Sequence, residues 1–381
     1  MEKKNLLKIL LLSTVVVLSS CKKDSPIPTD PVDLCGEDVL MPADFSFTAD
    51  EYNTVSYGGQ TARLNMVSEM MGAISSTGTT ADALMGMFAH EEGGIDFADA
   101  DLNASSKQIK SKTAAYSTST VQMALHSSFD SWFTDYATNV APIVGTTSMA
   151  APGIAGMAGN RELNGKGMEY DQITAKSLIG ALCLDQVVNG YLSEAKIGDA
   201  VDNTTRDPNE DNNATAMEHH WDEGFGYVYG KFGPDNVNGD LGTDGLLGKY
   251  LNKYDDYKAI VFDAFKKGRE AIVQDCSTVR DEQAQIIKET LSMVVATRAE
   301  SYLRDAAGYD DLSPEYFHAL SEGYGFILSL QFTYTVDGTP YFSNAEVNEM
   351  LAILEAGNGF WDRTDAELID MADAINAVTG L

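Results

Sequence analysis

HHWDEGFGYVY at residues 219–229 returns as HALSEGYGFIL at residues 318–328. In both stretches three residues separate a histidine from Glu-Gly, which is followed by an aromatic residue, a second Gly, another aromatic residue and a β-branched residue. Upstream segments also resemble each other, NGYLSEA at residues 189–195 and ESYLRDA at residues 300–306. Several restrictive positions that recur in register predict an internal duplication.

Apolar residues recur at helical spacing around both stretches, which predicts an all-α fold of internally duplicated helical bundles. No series of strands with alternating apolar residues occurs. A long loop is expected at residues 145–167, where six glycines occur, and loops of this length are usually functional or mobile. We expect helices over residues 59–75, from 81 onward, over 105–139 as one helix or two, over 170–195, 214–231, 257–274 and 279–307, from 314 onward, and over 343–356 and 365–378.

The amino terminus resembles the signal of a bacterial lipoprotein. Three lysines precede a short apolar run at residues 9–18, and LSSC at residues 18–21 follows it. The resemblance implies a signal peptide over residues 1–20 and lipidation of Cys21, while an ordinary secretory signal with a chance cysteine is the alternative. Lys22 stands where an Asp would favour retention in the inner membrane. We therefore expect a lipid-anchored protein of the outer membrane, either periplasmic or surface-exposed.

The rest of the chain is predicted to have three parts. Residues 21–44 combine the lipidated cysteine with a polar segment that is rich in proline, and such segments act as extended tethers. The length that remains exceeds what one core usually serves. We expect a first helical subdomain over residues 45–245, with the first motif, and a second over residues 246–381, with the second motif.

The chain is strongly acidic, with a formal net charge of −31. Residues 1–20 hold three Lys and one Glu, so the net charge without them is about −33. Such a chain should repel nucleic acid, and it can attract cations or basic partners; a solvated acidic surface is the alternative. Cys35, Cys183 and Cys276 remain beside Cys21, so at most one disulfide is expected among these three.

The repeated motif places an imidazole and a carboxylate on one face of a helix. Residues four apart lie side by side, so His219 should face Glu223, and His318 should face Glu322. Together the two copies supply two His and two Glu, a ligand set that suits a divalent metal or iron. The alternative is structural, because buried polar groups need such partners and paired glycines suit a close helix crossing.

An HxxE pattern in a duplicated helical lipoprotein resembles the imelysin-like superfamily, and the chain looks most like the lipoprotein family named domain of unknown function 4856. His220 and Glu223 match the pattern Gly-x-His-x-x-Glu, although Glu218 stands at the Gly position and Ala319 replaces the histidine in the second copy. The resemblance implies a metal site that includes His220. It also implies a role in iron or haem uptake, with an outer-membrane uptake receptor as a possible partner.

We expect a metal-binding protein or a partner in metal uptake rather than an enzyme. The sequence contains no HExxH, GxSxG or phosphate-binding loop. One alternative is an imelysin-type metallopeptidase, which needs a general base, and only Glu218, Asp222 and Glu223 lie nearby in sequence. The other alternative is a non-catalytic structural or nutrient-uptake lipoprotein.

Overall fold

Helices form most of the architecture, and the all-α prediction is confirmed. The structure is a computed structural model that describes residue 35 and residues 39–206, 213–242 and 246–381. In this part of the chain the α-helices are α1 Gly58–Ile74, α2 Ala81–Phe88, α3 Ala100–Ala104, α4 Ser119–Asp135, α5 Tyr170–Leu178, α6 Glu194–Ile197, α7 Ala216–Tyr229, α8 Leu247–Leu251, α9 Asp255–Val273, α10 Ser277–Gly308, α11 Pro314–Ser329, α12 Asn344–Glu355 and α13 Asp365–Thr379.

Two short antiparallel hairpins complete the described elements. β1 Thr48–Ala49 pairs with β2 Tyr52–Asn53, and β3 Gly156–Ala158 pairs with β4 Arg161–Leu163. The second hairpin lies within the glycine-rich loop predicted at residues 145–167, so part of that loop has regular structure.

Side-chain caps fix where the motif helices begin. The Thr215 hydroxyl accepts a hydrogen bond from the Glu218 N–H, and the Glu218 carboxylate accepts one from the Thr215 N–H, so a capping box opens α7. Ser313 caps α11, with Pro314 at the first helical position as its sequence predicts. Both caps place the motif histidine early in its helix.

The predicted helix over residues 105–139 is wrong in its first third. Ala114 has a φ of 52°, a conformation that an α-helix cannot contain. The Thr118 hydroxyl then accepts a hydrogen bond from the Val121 N–H, which starts α4 at Ser119.

One long helix contacts the helices of both motifs. α5 continues without a break into a π-helical segment, Ile179–Tyr191. α11 packs on α5 and α10, whereas α7 packs on the π-helical segment, α1 and α9. The two motifs therefore lie against different neighbours along one continuous hydrophobic core.

Residues 35–381 form one unit by their contacts. The core includes residues from both predicted subdomains, and the boundary at residue 245 stays a prediction. No helix among the described residues combines the length and apolar character that crossing a bilayer requires. The predicted signal peptide, Cys21 and most of the predicted tether lie outside the described residues.

One disulfide joins the beginning of the described chain to the turn between α9 and α10. Cys35 is bonded to Cys276, with Cα atoms 5.3 Å apart and a sequence separation of 241 residues. Cys183 is buried in the π-helical segment. This agrees with the expectation of at most one disulfide among the three cysteines.

Candidate functional site

The first motif presents its histidine and glutamate side by side. His219 Nε2 lies 3.9 Å from Glu223 Oε2. The other carboxylate oxygen, Oε1, accepts hydrogen bonds from the Gln60 amide at 3.0 Å and from the Tyr191 hydroxyl at 3.0 Å. His219 Nδ1 has no hydrogen-bond partner among the described residues. Because Nδ1 is buried, the atoms of the pair that remain available for a ligand are His219 Nε2 and Glu223 Oε2.

This pair opens on a cavity of about 320 Å³. The cavity lies between the start of α1, the segment before α4, the end of the π-helical segment and α7. Three cationic side chains line it together with the motif pair: Arg63, Lys107 and Lys112. Glu223 is the one carboxylate among the described residues that line it. The cavity is therefore locally basic on a chain that is acidic overall.

The first turn of α1 forms part of the cavity wall. Gly58 and Gly59 line the cavity, and Tyr57 precedes the helix. None of the described side chains caps this end of the helix, and its first turn contains no acidic residue. The amino end of this 17-residue helix, which carries the positive end of the helix dipole, therefore lies at the cavity.

The second motif is closed by its neighbours. His318 Nδ1 lies 2.6 Å from Glu169 Oε2, and His318 Nε2 lies 3.8 Å from Glu322 Oε2. The Lys176 ammonium lies 2.9 Å from Glu322 Oε1, which also accepts a hydrogen bond from the Tyr250 hydroxyl at 2.8 Å. The Glu322 side chain is only 8% exposed, against 21% for Glu223. Glu322 forms part of a buried, neutralised network, while the His318 side chain is 26% exposed.

Electrostatics distinguish the second motif further. Burial alone would raise the pKa of Glu322, but the Lys176 ammonium and the hydrogen bond from Tyr302 lower that pKa to about 2. Burial raises the pKa of Glu169, against the lowering effect of its hydrogen bond with His318. The ionised Glu322 is therefore held by Lys176, which leaves it little capacity to bind a further cation.

The paired glycines make room for neighbouring helices in both copies. Gly224 faces Tyr191 and Leu192, and Gly323 faces Tyr302 and Leu303, which are the aligned residues of the two upstream segments. A methyl group at Gly226 would lie 2.5 Å from Tyr57 Cβ, and one at Gly325 would overlap Lys176 Cβ. The second glycine of each motif thus lies against a helix from earlier in the chain. Gly226 contacts α1 and the residue before it, and Gly325 contacts α5.

His220 is occupied outside the cavity. Its Nδ1 donates to the Lys196 carbonyl oxygen at 2.8 Å, and its Nε2 lies 3.4 Å from the Lys196 ammonium. Burial lowers the pKa of His220, followed in size by the opposing effect of the hydrogen bond to Lys196. Because both ring nitrogens contact Lys196, the structure does not join His220 to the His219–Glu223 pair.

Two of the three candidate general bases belong to a buried ion-pair network. Arg269 Nε donates to Asp222 Oδ1 at 2.9 Å, and Arg269 Nη1 lies 3.2 Å from Glu218 Oε1. Arg206 also binds Glu218, at 2.7 Å. Glu218 and Asp222 are 1% and 0% exposed. They stabilise the contact of α7 with α9, and they do not line the cavity.

The structure does not collect His219, Glu223, His318 and Glu322 into one site. No group of three or more His, Cys, Asp and Glu side chains with the geometry of a metal site occurs in the part of the chain that is described. The physical reason is the packing, because α7 and α11 lie against different helices. Whether a metal binds stays a prediction.

The sequence profile of the family described as Domain of unknown function (DUF4856) matches residues 42–381. The chain belongs to the DUF4856 family. The match covers the whole helical part and begins within the predicted tether. No curated protein and no solved structure matches the chain. For this DUF4856 chain the wider likeness to the imelysin-like superfamily depends on His220 and Glu223, and it stays a prediction.

Sequence reasoning alone did not identify the remaining cavity residues of this DUF4856 protein. Arg63, Lys107 and Lys112 come from segments more than a hundred residues before the motif and carry no pattern of their own. Tyr191 could have been predicted, because it aligns with Tyr302 in the upstream segments. Each of these hydroxyls contacts the glutamate of its own motif.

Proposed function

We propose that this DUF4856 protein is a lipid-anchored outer-membrane protein that binds a metal-containing ligand, and that it serves metal uptake without catalysing a reaction. The observation that carries the proposal is the open His219–Glu223 pair. Its histidine and glutamate side chains are 37% and 21% exposed in a cavity of small-ligand size. The corresponding pair His318–Glu322 is sealed by Lys176, so the first copy is the better candidate for binding.

The donor set of the cavity suits a metal that brings other ligands with it. A bare zinc-like ion in a protein usually has four ligands, and His219 and Glu223 supply two. Arg63, Lys107 and Lys112 would also repel a free cation. A chelated iron or a haem iron satisfies most of its own coordination and needs few protein donors. This favours a complexed metal over a free divalent ion.

A peptidase is supported less well. Glu218 and Asp222 are committed to Arg269, so Glu223 is the remaining candidate for a general base. Its Oε1 already accepts two hydrogen bonds, from Gln60 and Tyr191. The arrangement suits positioning of a ligand better than proton transfer.

The place of work is inferred from the LSSC sequence at residues 18–21. A lipid anchor at Cys21 followed by a proline-rich tether would hold the helical part near the membrane, on either the periplasmic or the outer side. A ligand captured there would be passed to an outer-membrane uptake receptor. The strongly acidic surface would favour a receptor with a basic docking face.

We also infer that the two motifs descend from an internal duplication. Each motif histidine lies about 4 Å from the glutamate four residues later, at 3.9 Å and 3.8 Å. Each first glycine faces a Tyr-Leu pair, and each second glycine contacts a helix from earlier in the chain. These parallels support a common origin, after which the two copies took different roles.

The proposal is tested with the full-length protein, purified from membranes in detergent without chelators. Metal content is measured by mass spectrometry, and binding of zinc ion, ferric citrate and haem is measured by titration. His219→Ala should weaken binding of the metal-containing ligand tenfold or more, while the matched change His318→Ala in the sealed pair should leave it unchanged.

Other outcomes point to other functions. If His220→Ala weakens binding more than His219→Ala, the imelysin-type arrangement is the better description. Zinc-dependent peptide hydrolysis that Glu223→Gln abolishes would establish the peptidase. If no metal or metal complex binds at micromolar concentration, the proposal is overturned in favour of a structural or nutrient-uptake role.

A further inference from the structure

The charge inside the first-motif cavity is opposite to that of the whole chain. Lys and Arg number 26 against 57 Asp and Glu in the full sequence. In the cavity, three cationic side chains and the end of a helix face one carboxylate, among the residues that the structure describes. This local excess of positive charge would favour an anionic ligand.

Arg63 is fixed in position without being neutralised. Its Nε donates to the Gln108 carbonyl oxygen at 3.0 Å, and its Nη1 donates to the Gly59 carbonyl oxygen at 3.2 Å. Both partners are neutral, and the side chain is only 7% exposed. A buried guanidinium that has no carboxylate partner among the described residues keeps its full positive charge beside the cavity.

Lys107 and Lys112 add two half-buried charges. Neither ammonium forms an ion pair with any residue in the described ranges. Burial lowers the pKa of Lys112, and the nearby Arg63 guanidinium lowers it further, with Glu223 acting in the opposite direction. Burial is the larger cause of this lowering, and repulsion by Arg63 and Lys107 adds to it. A bound anion would relieve that repulsion.

The amino end of α1 supports the same ligand chemistry. Gly58 and Gly59 have no side chains that would cover the first helical N–H groups where they line the cavity. Backbone N–H groups at the end of a long helix bind carboxylate and phosphate oxygens. His219 lies among the same lining residues.

We propose that the first-motif cavity binds a small molecule through its carboxylate or phosphate groups, which Arg63, Lys107 and Lys112 recognise. This inference rests on the proposed function and deepens it, because a metal would then enter as an anionic complex. The cations would bind the acidic groups of the complex, and the His219–Glu223 pair would contact the rest of it. Carboxylate and phosphate share this chemistry, and the experiment separates them.

The test is calorimetric titration of the full-length protein in detergent with citrate, with inorganic phosphate and with ferric citrate, at low and at moderate salt. The double variant K107Q/K112Q should lower the affinity for the anion about tenfold or more, because charge-assisted hydrogen bonds are lost. The affinity of the natural chain should also fall as salt rises. Preference for citrate over phosphate, or the reverse, identifies the acidic group.

Lys110→Gln is the matched control. Lys110 lies two residues from Lys112 in the same short helical turn, but its ammonium pairs with Asp130 at 2.8 Å and does not line the cavity. This change removes the same charge from the same segment and should leave anion affinity unchanged. Circular dichroism and melting curves establish that all variants are folded.

The two proposals fail in different ways. Absence of citrate and phosphate binding at millimolar concentration, or equal affinities for the natural chain and K107Q/K112Q, overturns the anion site. If zinc ion alone binds through His219 while neither citrate nor phosphate binds, the anion site is wrong while metal binding stands. If citrate binds through the lysines and neither iron nor His219→Ala changes its affinity, the anion site stands and metal binding is wrong.

Discussion

At the scale of single residues, Lys176 accounts for the difference between the two motifs. Gln60 is its counterpart in the first copy: each side chain contacts the motif glutamate, and the Cβ atoms of the two residues lie against Gly226 and Gly325. The Gln60 amide is neutral and leaves the charge of Glu223 free to attract a ligand, whereas the Lys176 ammonium neutralises Glu322. This difference, together with the contact of Glu169 with His318, separates the open pair from the sealed one.

The ion pair between Lys176 and Glu322 should make the free energy of unfolding depend on pH. The folded-state pKa of Glu322 is about 2, below its ordinary value of 4.5. The stabilising contribution of the ionised Glu322 is therefore complete above about pH 4.5 and is lost as pH falls through 2. Glu322→Gln should remove this dependence, which thermal unfolding between pH 6 and pH 2 measures. Lys176→Met should cost about 3–5 kcal/mol at pH 7, because it leaves a buried carboxylate without its cation.

The control for that pair is Glu223→Gln in the first copy. Glu223 has no lysine within ion-pair distance among the described residues, and its side chain is 21% exposed. We expect little change in stability with Glu223→Gln. A large loss there, or none with Lys176→Met, would contradict the assignment of open and sealed pairs.

At the scale of helices, the second glycine of each motif sets how closely neighbouring helices approach. Gly226→Ala should destabilise the protein by about 1–3 kcal/mol, because the new methyl group meets Tyr57 Cβ and Gln60 Cβ at 2.5 and 3.0 Å. Gly224→Ala is the matched change two residues earlier, where the nearest atom lies at 3.5 Å. It should be neutral, or stabilising by up to about 1 kcal/mol through helix propensity.

Chemical denaturation of the two alanine variants measures this difference. Equal stabilities would show that the crossing of α1 and α7 relaxes easily, against the close approach described above. The same comparison can be made at Gly325, where Lys176 Cβ and the Ser177 backbone occupy the space.

The helices themselves could be predicted from the sequence more fully than the site could. Amphipathic spacing and caps such as Ser313-Pro314 are local signals, so α9, α10, α12 and α13 begin and end within a few residues of their predicted limits, and α11 begins where it was predicted. The break at Ala114 results from a positive φ, and an alanine in the sequence gives no indication of such a conformation. The motif pairs were predictable because they depend on a spacing of four within one helix.

The cavity could not be predicted, because its residues meet only through the packing of distant segments. Arg63 and Lys112 are separated from His219 by more than a hundred residues, and nothing in their spacing indicates that they converge. The sealing of His318 by Glu169 is equally non-local. The sequence therefore predicted a four-residue metal site, where the structure has two separate pairs with different surroundings.

At the scale of the whole molecule, the predicted lipid anchor would determine where the cavity works. Replacing Cys21 by Ser should abolish acyl labelling and move the protein from the membrane fraction to the soluble fraction, because the acyl chains would supply its affinity for the membrane. Fractionation and mass spectrometry of the intact protein measure both effects. Continued membrane association at an unchanged mass would mean that the protein is held there by something other than the predicted lipid.

Finally, the Cys35–Cys276 bond makes most of the chain a covalent ring. A protease that cuts once anywhere between these two residues would open the ring without separating the amino terminus from the carboxyl-terminal helices. A lipoprotein built in this way would stay attached to its membrane after a single nick, and only a reducing environment would release the fragment. Limited digestion should therefore give one band without reductant and two bands with it.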